Sequence, residues 1–207
     1  MSRIEQETDA APISAARRGR SLDPKVIPSA GGTTVRALKD AMQELVGMDV
    51  VATALASLPA EVREAFEPVT PMTWVPLDAI YTSVARVAEV AGRSFDDLMD
   101  EAVQRAGEKT LRTAWRMLLR VTADRALIRR APILYAKWRN IGRLETVSTD
   151  HGKAELFLTE WPGMSERNIR SLGITIENVL RLAGRKQIKV QWQATPDGAK
   201  YAVVWQA

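Results

Sequence analysis

The chain lacks cysteine and contains a single histidine, His151, among its 207 residues. The absence of cysteine excludes disulfides, thiolate zinc sites, iron–sulfur clusters and cysteine nucleophiles, and one histidine excludes nearly every multi-histidine metal site. The phosphate-binding pattern GxxxxGK, the dinucleotide pattern GxGxxG and the nucleophile pattern GxSxG are missing too. We therefore expect no metal site, no cofactor and no catalytic residue, and we keep an enzyme of carboxylate, lysine or tyrosine chemistry as an alternative.

Long apolar runs are also missing from the sequence. It contains no run of about 18 apolar residues, the length that crosses a bilayer, and its start, MSRIEQETDAAPISAARRGR, lacks the apolar core of a secretory signal. These absences predict a cytoplasmic protein without a transmembrane segment. With 46% hydrophobic residues the chain can nevertheless bury a substantial core.

The hydrophobic pattern changes period near Gly142. Residues 1–33 are rich in Ala, Ser, Pro and Gly and are predicted to form a flexible tail, whereas 34–207 are predicted to form a single domain. In 34–141 apolar residues recur at helical spacing, and in 142–207 alternating segments predict two strands, a helix and two more strands. The sequence thus predicts an α+β fold, in which an N-terminal helical half packs on a C-terminal ββαββ unit with a four-stranded, mainly antiparallel sheet.

The lone histidine lies between the first two predicted strands. Asp150 precedes His151 and Gly152 follows it, which is a composition typical of a tight turn. We expect the imidazole to lie in water at the tip of a hairpin and to take no part in chemistry.

Large aromatic residues near the predicted boundary between helices and sheet are candidates for a ligand pocket. We predict that its walls include Trp115, Tyr135, Trp138 and Phe157, with Gly173 admitting a ligand where glycine interrupts a helix. The alternative for these residues is ordinary core packing, and for Gly173 a close approach of helix and sheet.

Charge is segregated along the chain although the net charge is only +4. Leu58 to Glu101 holds 9 acidic and 3 basic residues, whereas Arg105 to Arg143 holds 11 basic and 2 acidic residues. The second block suggests a basic patch for an anionic partner, made of Arg112, Arg116, Arg120, Arg139 and Arg143. Pairing within the fold, an acidic protein partner and a polyanion such as nucleic acid or membrane phosphate are the open explanations, and the lack of a known nucleic-acid motif counts against the last.

Several short motifs resemble those of a protein family of about this size found in myxobacteria. They are Leu58 and Pro59 with Val62 and Arg63, then Trp74, then WRNIGRLE from Trp138 to Glu145, and the closing segments IKVQW and YAVVW. That family is similar in layout to the superfamily of heme nitric-oxide-binding and vinyl-reductase domains, which sense small molecules. The resemblance implies a cavity between helices and sheet, but heme-binding members use a helical histidine as iron ligand, and His151 does not match that position.

The functional hypothesis from the sequence is a non-catalytic cytoplasmic regulatory module. It would bind a small apolar ligand or an acidic protein partner, with a homodimer also open. Polyanion binding through the arginines and enzymatic activity are the alternatives.

Overall fold

The computed structural model describes residues 26–67, 69–110 and 124–206. In chain order its elements are β1 (Ser29–Gly31), α1 (Gly32–Val46), α2 (Met48–Ala56), α3 (Ala60–Phe66), β2 (Trp74–Pro76), α4 (Leu77–Val90), α5 (Phe95–Thr110), α6 (Asp124–Arg129), α7 (Ala131–Trp138), β3 (Arg143–Asp150), β4 (Lys153–Thr159), α8 (Glu166–Leu182), β5 (Lys186–Thr195) and β6 (Gly198–Gln206). The predicted α+β class, with helices first and a ββαββ unit last, is confirmed.

The helical half is held together by apolar stripes that face one another. Helix α1 packs along α5, α4 packs on α2 and α3, and α5 in turn packs on α8 of the C-terminal unit. Val35, Met42, Val84 and Leu98 are among the side chains that this packing buries. The helical half therefore meets the C-terminal unit in two places: α5 packs on α8, and α6 and α7 pack on β3.

A two-stranded sheet joins the start of the described chain to its middle. Strand β1 pairs antiparallel with β2, so that Ala30 lies opposite Val75, and Ala30 also bridges to Arg139 after α7. The predicted tail, residues 1–33, thus includes a buried strand and the first residues of α1, and any tail must end before Ser29. Residues 1–25 lie outside the described part of the chain.

The C-terminal sheet has the strand order β3-β4-β6-β5, and every neighbouring pair is antiparallel. Its inner face is buried and consists of alternating residues: Ala154, Leu156 and Leu158 on β4, and Ala199, Tyr201, Val203 and Trp205 on β6. This period of two is the one that the sequence shows, and it confirms the predicted four-stranded sheet.

Helix α8 covers the inner face of the sheet. It begins after Ser165, whose hydroxyl accepts a hydrogen bond from the backbone N–H of Asn168 at 3.3 Å, as expected of an N-cap. Its apolar side buries Ile169, Ile176 and Leu180 against the strands. The helix is therefore fixed between the sheet on one side and α5 on the other.

Candidate functional site: a cavity between the helices and α8

The structure contains a cavity of about 90 Å³ where the helical half meets the C-terminal unit. Helices α1, α4 and α5 form one side, and α7 and α8 form the other. Its apolar walls come from both sides and include Val35, Leu38, Ile80, Met99, Leu172 and Val179. The polar groups that reach it are few, so each one constrains what the cavity can hold.

Asn178 on α8 presents the most informative polar group. Its side chain is 4% exposed, and its Oδ1 accepts a hydrogen bond from Nη1 of Arg181 at 3.2 Å. Because arginine can only donate, this contact fixes which end of the amide is oxygen and turns Nδ2 the other way. In the part of the chain that the structure describes, no protein atom accepts a hydrogen bond from that Nδ2.

Gly107 on α5 keeps the space beside this amide open. A Cβ at Gly107 would lie 3.5 Å from Nδ2 of Asn178, which is ordinary van der Waals contact. Any larger residue would place carbon against the two N–H groups and cover them. Gly107 and Asn178 both line the cavity, so the unsatisfied donor belongs to its wall and is itself fully buried.

Three hydroxyl groups of the wall donate hydrogen bonds within the protein. Thr175 donates its hydroxyl to the carbonyl of Ser171 at 2.8 Å, Tyr135 donates to the carbonyl of Ile141 at 2.7 Å, and Tyr81 donates to Oδ1 of Asn168. Burial raises the pKa of both tyrosine hydroxyls, so both phenols stay neutral at physiological pH.

Arg139 brings the only positive charge among the described residues that line this cavity. It follows α7, is half-buried, and donates from Nη1 to its neighbouring carbonyl, that of Trp138, at 3.2 Å. None of the ion pairs between described residues involves Arg139. A half-buried guanidinium that has several donors and no described carboxylate partner is able to bind an anion.

The predicted pocket residues divide into three groups in the structure. Tyr135 and Trp138 line the cavity. Phe157 does not, because it alternates with the inward residues of β4 and lies on the outer face of the sheet, where Lys200 stacks over its ring. Gly173 makes room for Trp192 instead, since a Cβ there would lie 2.8 Å from Cε3 of that ring, and Trp115 lies outside the described residues.

The predicted arginine patch is not assembled as one surface within the described chain. Arg112, Arg116 and Arg120 lie outside the described residues, Arg139 faces the cavity, and exposed Arg143 pairs with Glu145 at 2.9 Å. The other ion pairs of this basic block, in the described residues, run from Lys109 and Arg105 to Glu44 on α1. Arg139 and Arg143 therefore have different surroundings although four positions separate them.

His151 is exposed at the tip of the β3–β4 hairpin. Its backbone N–H donates to Oδ1 of Asp150 at 2.8 Å, and this bond, helped by Lys153, lowers the pKa of the Asp150 carboxyl. Gly152 follows with a φ of 73°, a conformation that suits glycine. The described residues contain no group of three or more His, Asp or Glu side chains able to hold a metal ion, and the hairpin tip is not part of the cavity.

Comparisons with known proteins identify the fold. No protein-family model matches the chain, and no curated protein matches it either. Solved H-NOX structures do match, and each alignment covers 86% of this chain. A Tt H-NOX double variant matches with a TM-score of 0.64 and 14% identity over 95% of its own length, and the Fe(II) unliganded H-NOX protein from K. algicida matches with a TM-score of 0.62 and 10% identity over 97% of its length. An oxygen-binding H-NOX domain related to soluble guanylate cyclases, in its oxygen complex, matches with a TM-score of 0.60 and 14% identity over 95% of its length. The chain therefore has the fold of H-NOX domains, as the heme nitric-oxide-binding part of the resemblance implies.

The residues of this chain do not fit a histidine-ligated heme. His151, the only histidine, is exposed on a hairpin, and cysteine is missing from the sequence. The phenols of Tyr81 and Tyr135 are bonded to protein acceptors, and burial raises the pKa of each, which disfavours the phenolate that would bind iron. The cavity of about 90 Å³ is also far below the roughly 300–1,000 Å³ of pockets for drug-sized ligands.

The described helices do not include a candidate membrane span. None of those in residues 26–67, 69–110 and 124–206 is long and apolar enough to span a bilayer.

Proposed function

We propose that this protein is a non-catalytic regulatory module that binds a small, mainly apolar ligand in the cavity between its helical half and α8. The observation that supports this most strongly is the buried Nδ2 of Asn178, a residue of the cavity wall, which has no described protein acceptor. Leaving a buried donor unsatisfied costs about 1–3 kcal/mol, so an acceptor atom on a ligand would gain a hydrogen bond there. The preferred ligand thus combines an apolar body with at least one carbonyl, hydroxyl or similar oxygen.

The size of the cavity limits that ligand. A buried water needs about 10–15 Å³ of such volume, so about 90 Å³ accepts a molecule of about six to nine heavy atoms. A larger ligand would have to separate α5 from α8.

The position of the cavity suggests how binding would regulate. Its walls come from both halves of the fold, so a ligand that fills it favours one arrangement of α1, α4 and α5 relative to α7 and α8. The similarity to H-NOX structures, among them one in complex with oxygen, fits this use of the fold. An acidic protein partner would bind one of these arrangements in preference to the other. This partner remains a prediction, as do the homodimer, the cytoplasmic location and the vinyl-reductase part of the resemblance.

Native mass spectrometry of the full chain tests the proposal. We expect wild-type protein to retain an added small-molecule mass that is lost on denaturation. Gly107→Ala should abolish retention because its methyl group covers Nδ2 of Asn178, while it raises stability by about 0.5–1 kcal/mol, as alanine does in place of glycine within a helix. Loss of the ligand together with a gain in stability cannot be explained by misfolding.

Val90→Ile is the matched control, because it adds one methylene at the exposed end of α4, where Val90 is 36% exposed. This control should retain the ligand. Wild-type protein that retains no mass, and binds none when small ketones are added, would contradict the proposal and would mean that Asn178 is satisfied by water alone.

Polyanion binding and enzymatic activity remain the alternatives. The described residues add no observation in favour of either, since Arg143 is paired and Arg139 faces the cavity. A salt-dependent affinity that falls when Arg112, Arg116 and Arg120 are changed together to alanine would support the polyanion alternative.

A further inference from the structure

An open groove with a volume of about 800 Å³ runs between the outer side of α7 and the edge of β3. Gly142 and the first residues of β3, Arg143 to Thr146, line one side of it in unbroken succession. Because side chains of successive strand residues point to opposite faces, contact with all of them places the groove along the strand edge and not over a face. Among the described strands β3 has only β4 as a neighbour, so backbone groups on this edge have no strand to pair with.

This edge of β3 is regular and held in place. The pairing of β3 with β4 runs without a register shift from Arg143 to Thr146. The Thr146 hydroxyl donates to the carbonyl of Ile128 on α6 at 3.0 Å, and α7 packs on β3. Backbone groups that are already extended and fixed lose little conformational entropy when another strand pairs with them, and recognition by strand addition depends on this.

The opposite side of the groove is the outer side of α7, which is mainly apolar. Pro132, Ile133 and Ala136 form it, and Ile133 is 61% exposed. On its inner side the same helix places Tyr135 and Trp138 at the cavity. A helix that is apolar on both sides is normally covered on both, and no described residue covers the outer side of Ile133.

The groove is also positively charged. Its described lining includes Arg129, Lys137 and Arg143 but a single acidic residue, Glu145. Arg143 pairs with Glu145 at 2.9 Å, whereas Arg129 and Lys137 are exposed and take part in none of the ion pairs between described residues. An acidic partner would complement these charges, and a basic one would be repelled.

We infer that this groove binds an extended acidic segment of a partner protein. The segment pairs with the free edge of β3, places an apolar side chain on Ile133, and brings carboxylates to Arg129 and Lys137. Unpaired backbone groups and an apolar wall favour a polypeptide over a nucleic acid. The inference rests on the proposed function for the regulatory role of the partner, and α7 links the two sites because it lines both the cavity and the groove.

Three synthetic peptides test the groove. The first is about seven residues long and alternates glutamate with valine, the second has lysine in place of glutamate, and the third is the first with every backbone nitrogen methylated. Methylation keeps the charges and the side chains but removes the donors for strand pairing. By calorimetry on the full chain at about 0.15 M salt, where distant charges are screened, we expect the glutamate peptide to bind and the other two to bind at least about tenfold more weakly.

Variants of exposed residues identify the contacts without disturbing the core. Arg129→Glu combined with Lys137→Glu should weaken the glutamate peptide by about tenfold or more. The matched control is Lys186→Glu combined with Lys189→Glu, which makes the same change of charge on β5, the other outer strand, and should leave the affinity unchanged.

Ile133→Ser should weaken the glutamate peptide several-fold, because valine loses its contact on α7. Unfolding followed by circular dichroism should show wild-type stability for the variants on either strand edge and for Ile133→Ser, since each changed side chain is exposed.

Several results would overturn the inference. It is wrong if the glutamate peptide does not bind, if the lysine or the methylated peptide binds as tightly, or if the β5 control loses as much affinity as the groove variant. An oligonucleotide that binds more tightly than the peptide would assign the groove to nucleic acid, and self-association that Ile133→Ser abolishes in sedimentation would assign it to a second copy. Retention of a ligand in native mass spectrometry is measured without these peptides, so the groove can fail while the cavity proposal stands.

Discussion

Residue type alone would favour a functional site at the hairpin tip around His151 over one in the middle of α8 around Asn178. The surroundings of the two side chains favour the reverse. The hairpin has an imidazole beside a carboxylate, a pair often found in active sites, yet both side chains are in water. Asn178 is chemically ordinary, but it is buried with a donor that no described protein group accepts. A functional site here is therefore marked by what surrounds a polar group rather than by its reactivity.

The largest expected effect is on the free energy of unfolding, which mutations in the two regions should change by very different amounts. Leu180→Ala on the buried side of α8 should lower the free energy of unfolding by about 2–5 kcal/mol, because it leaves a cavity between helix and sheet. His151→Ala should change it by less than about 0.5 kcal/mol, because the side chain is exposed and the hydrogen bond from the backbone N–H to Asp150 remains. Urea unfolding followed by circular dichroism measures both changes. If His151→Ala lowers the free energy of unfolding by more than about 1 kcal/mol, the hairpin tip contributes to stability and the contrast between the two regions is wrong.

A smaller effect is expected at Tyr135 on the cavity wall. Tyr135→Phe should cost about 1–3 kcal/mol at neutral pH, because the buried carbonyl of Ile141 loses its donor.

The same variant should also change the alkaline stability. Burial raises the pKa of Tyr135 above its ordinary value of 10.0, so above that pH the unfolded chain releases a proton that the folded protein keeps. The stability that the neutral phenol contributes is present below pH 10 and is lost as the pH rises above it. Unfolding curves at several pH values should show a shallower alkaline decline in Tyr135→Phe, and an unchanged slope would mean that the phenol is more accessible to water than its burial indicates.

How far the sequence predicts these features depends on whether they are local. The strand and helix periods, the turn at Gly152 and the cap at Ser165 are set by neighbouring residues, and all of them are present in the structure. Strands β1 and β2 have three residues each, too few for a period, and they pair across more than 40 positions. The predicted tail, residues 1–33, therefore includes β1, which belongs to the fold.

The site itself was only partly predictable. Alternation alone assigns Phe157 to the face opposite Leu156 and Leu158, which is the face that it occupies in the structure. A signal for Asn178 exists as well, since Ser171, Thr175 and Asn178 repeat at helical spacing beside the apolar stripe of α8. What the sequence cannot give is the position of Gly107, which opens the space beside Asn178 from another helix.

Removing the unsatisfied donor should have a smaller effect still, and of opposite sign. Asn178→Leu replaces the buried amide by an apolar side chain of similar size, so ligand-free protein should be as stable as the wild type or more stable by up to about 1 kcal/mol. Arg181 keeps its ion pair with Glu177, which limits the cost of losing the Asn178 oxygen. A loss of more than about 1 kcal/mol, measured by urea unfolding without ligand, would indicate that the amide is satisfied in the folded protein and is no ligand donor.

The smallest effect is expected from Asp150 at the hairpin tip. The backbone N–H of His151 and the nearby Lys153 lower the pKa of its carboxyl, so any stability they provide is present above its ordinary pKa of 3.8 and is lost as the pH falls through the lowered value. Because the group is fully exposed, solvent screens these contacts, and Asp150→Asn should leave the melting temperature at neutral pH unchanged. Carboxyl chemical shifts followed by NMR should still show Asp150 titrating below a typical exposed aspartate. An ordinary pKa would mean that the turn does not hold the carboxylate against the His151 N–H, and a clear fall in melting temperature would mean that the tip contributes to the fold as the middle of α8 does.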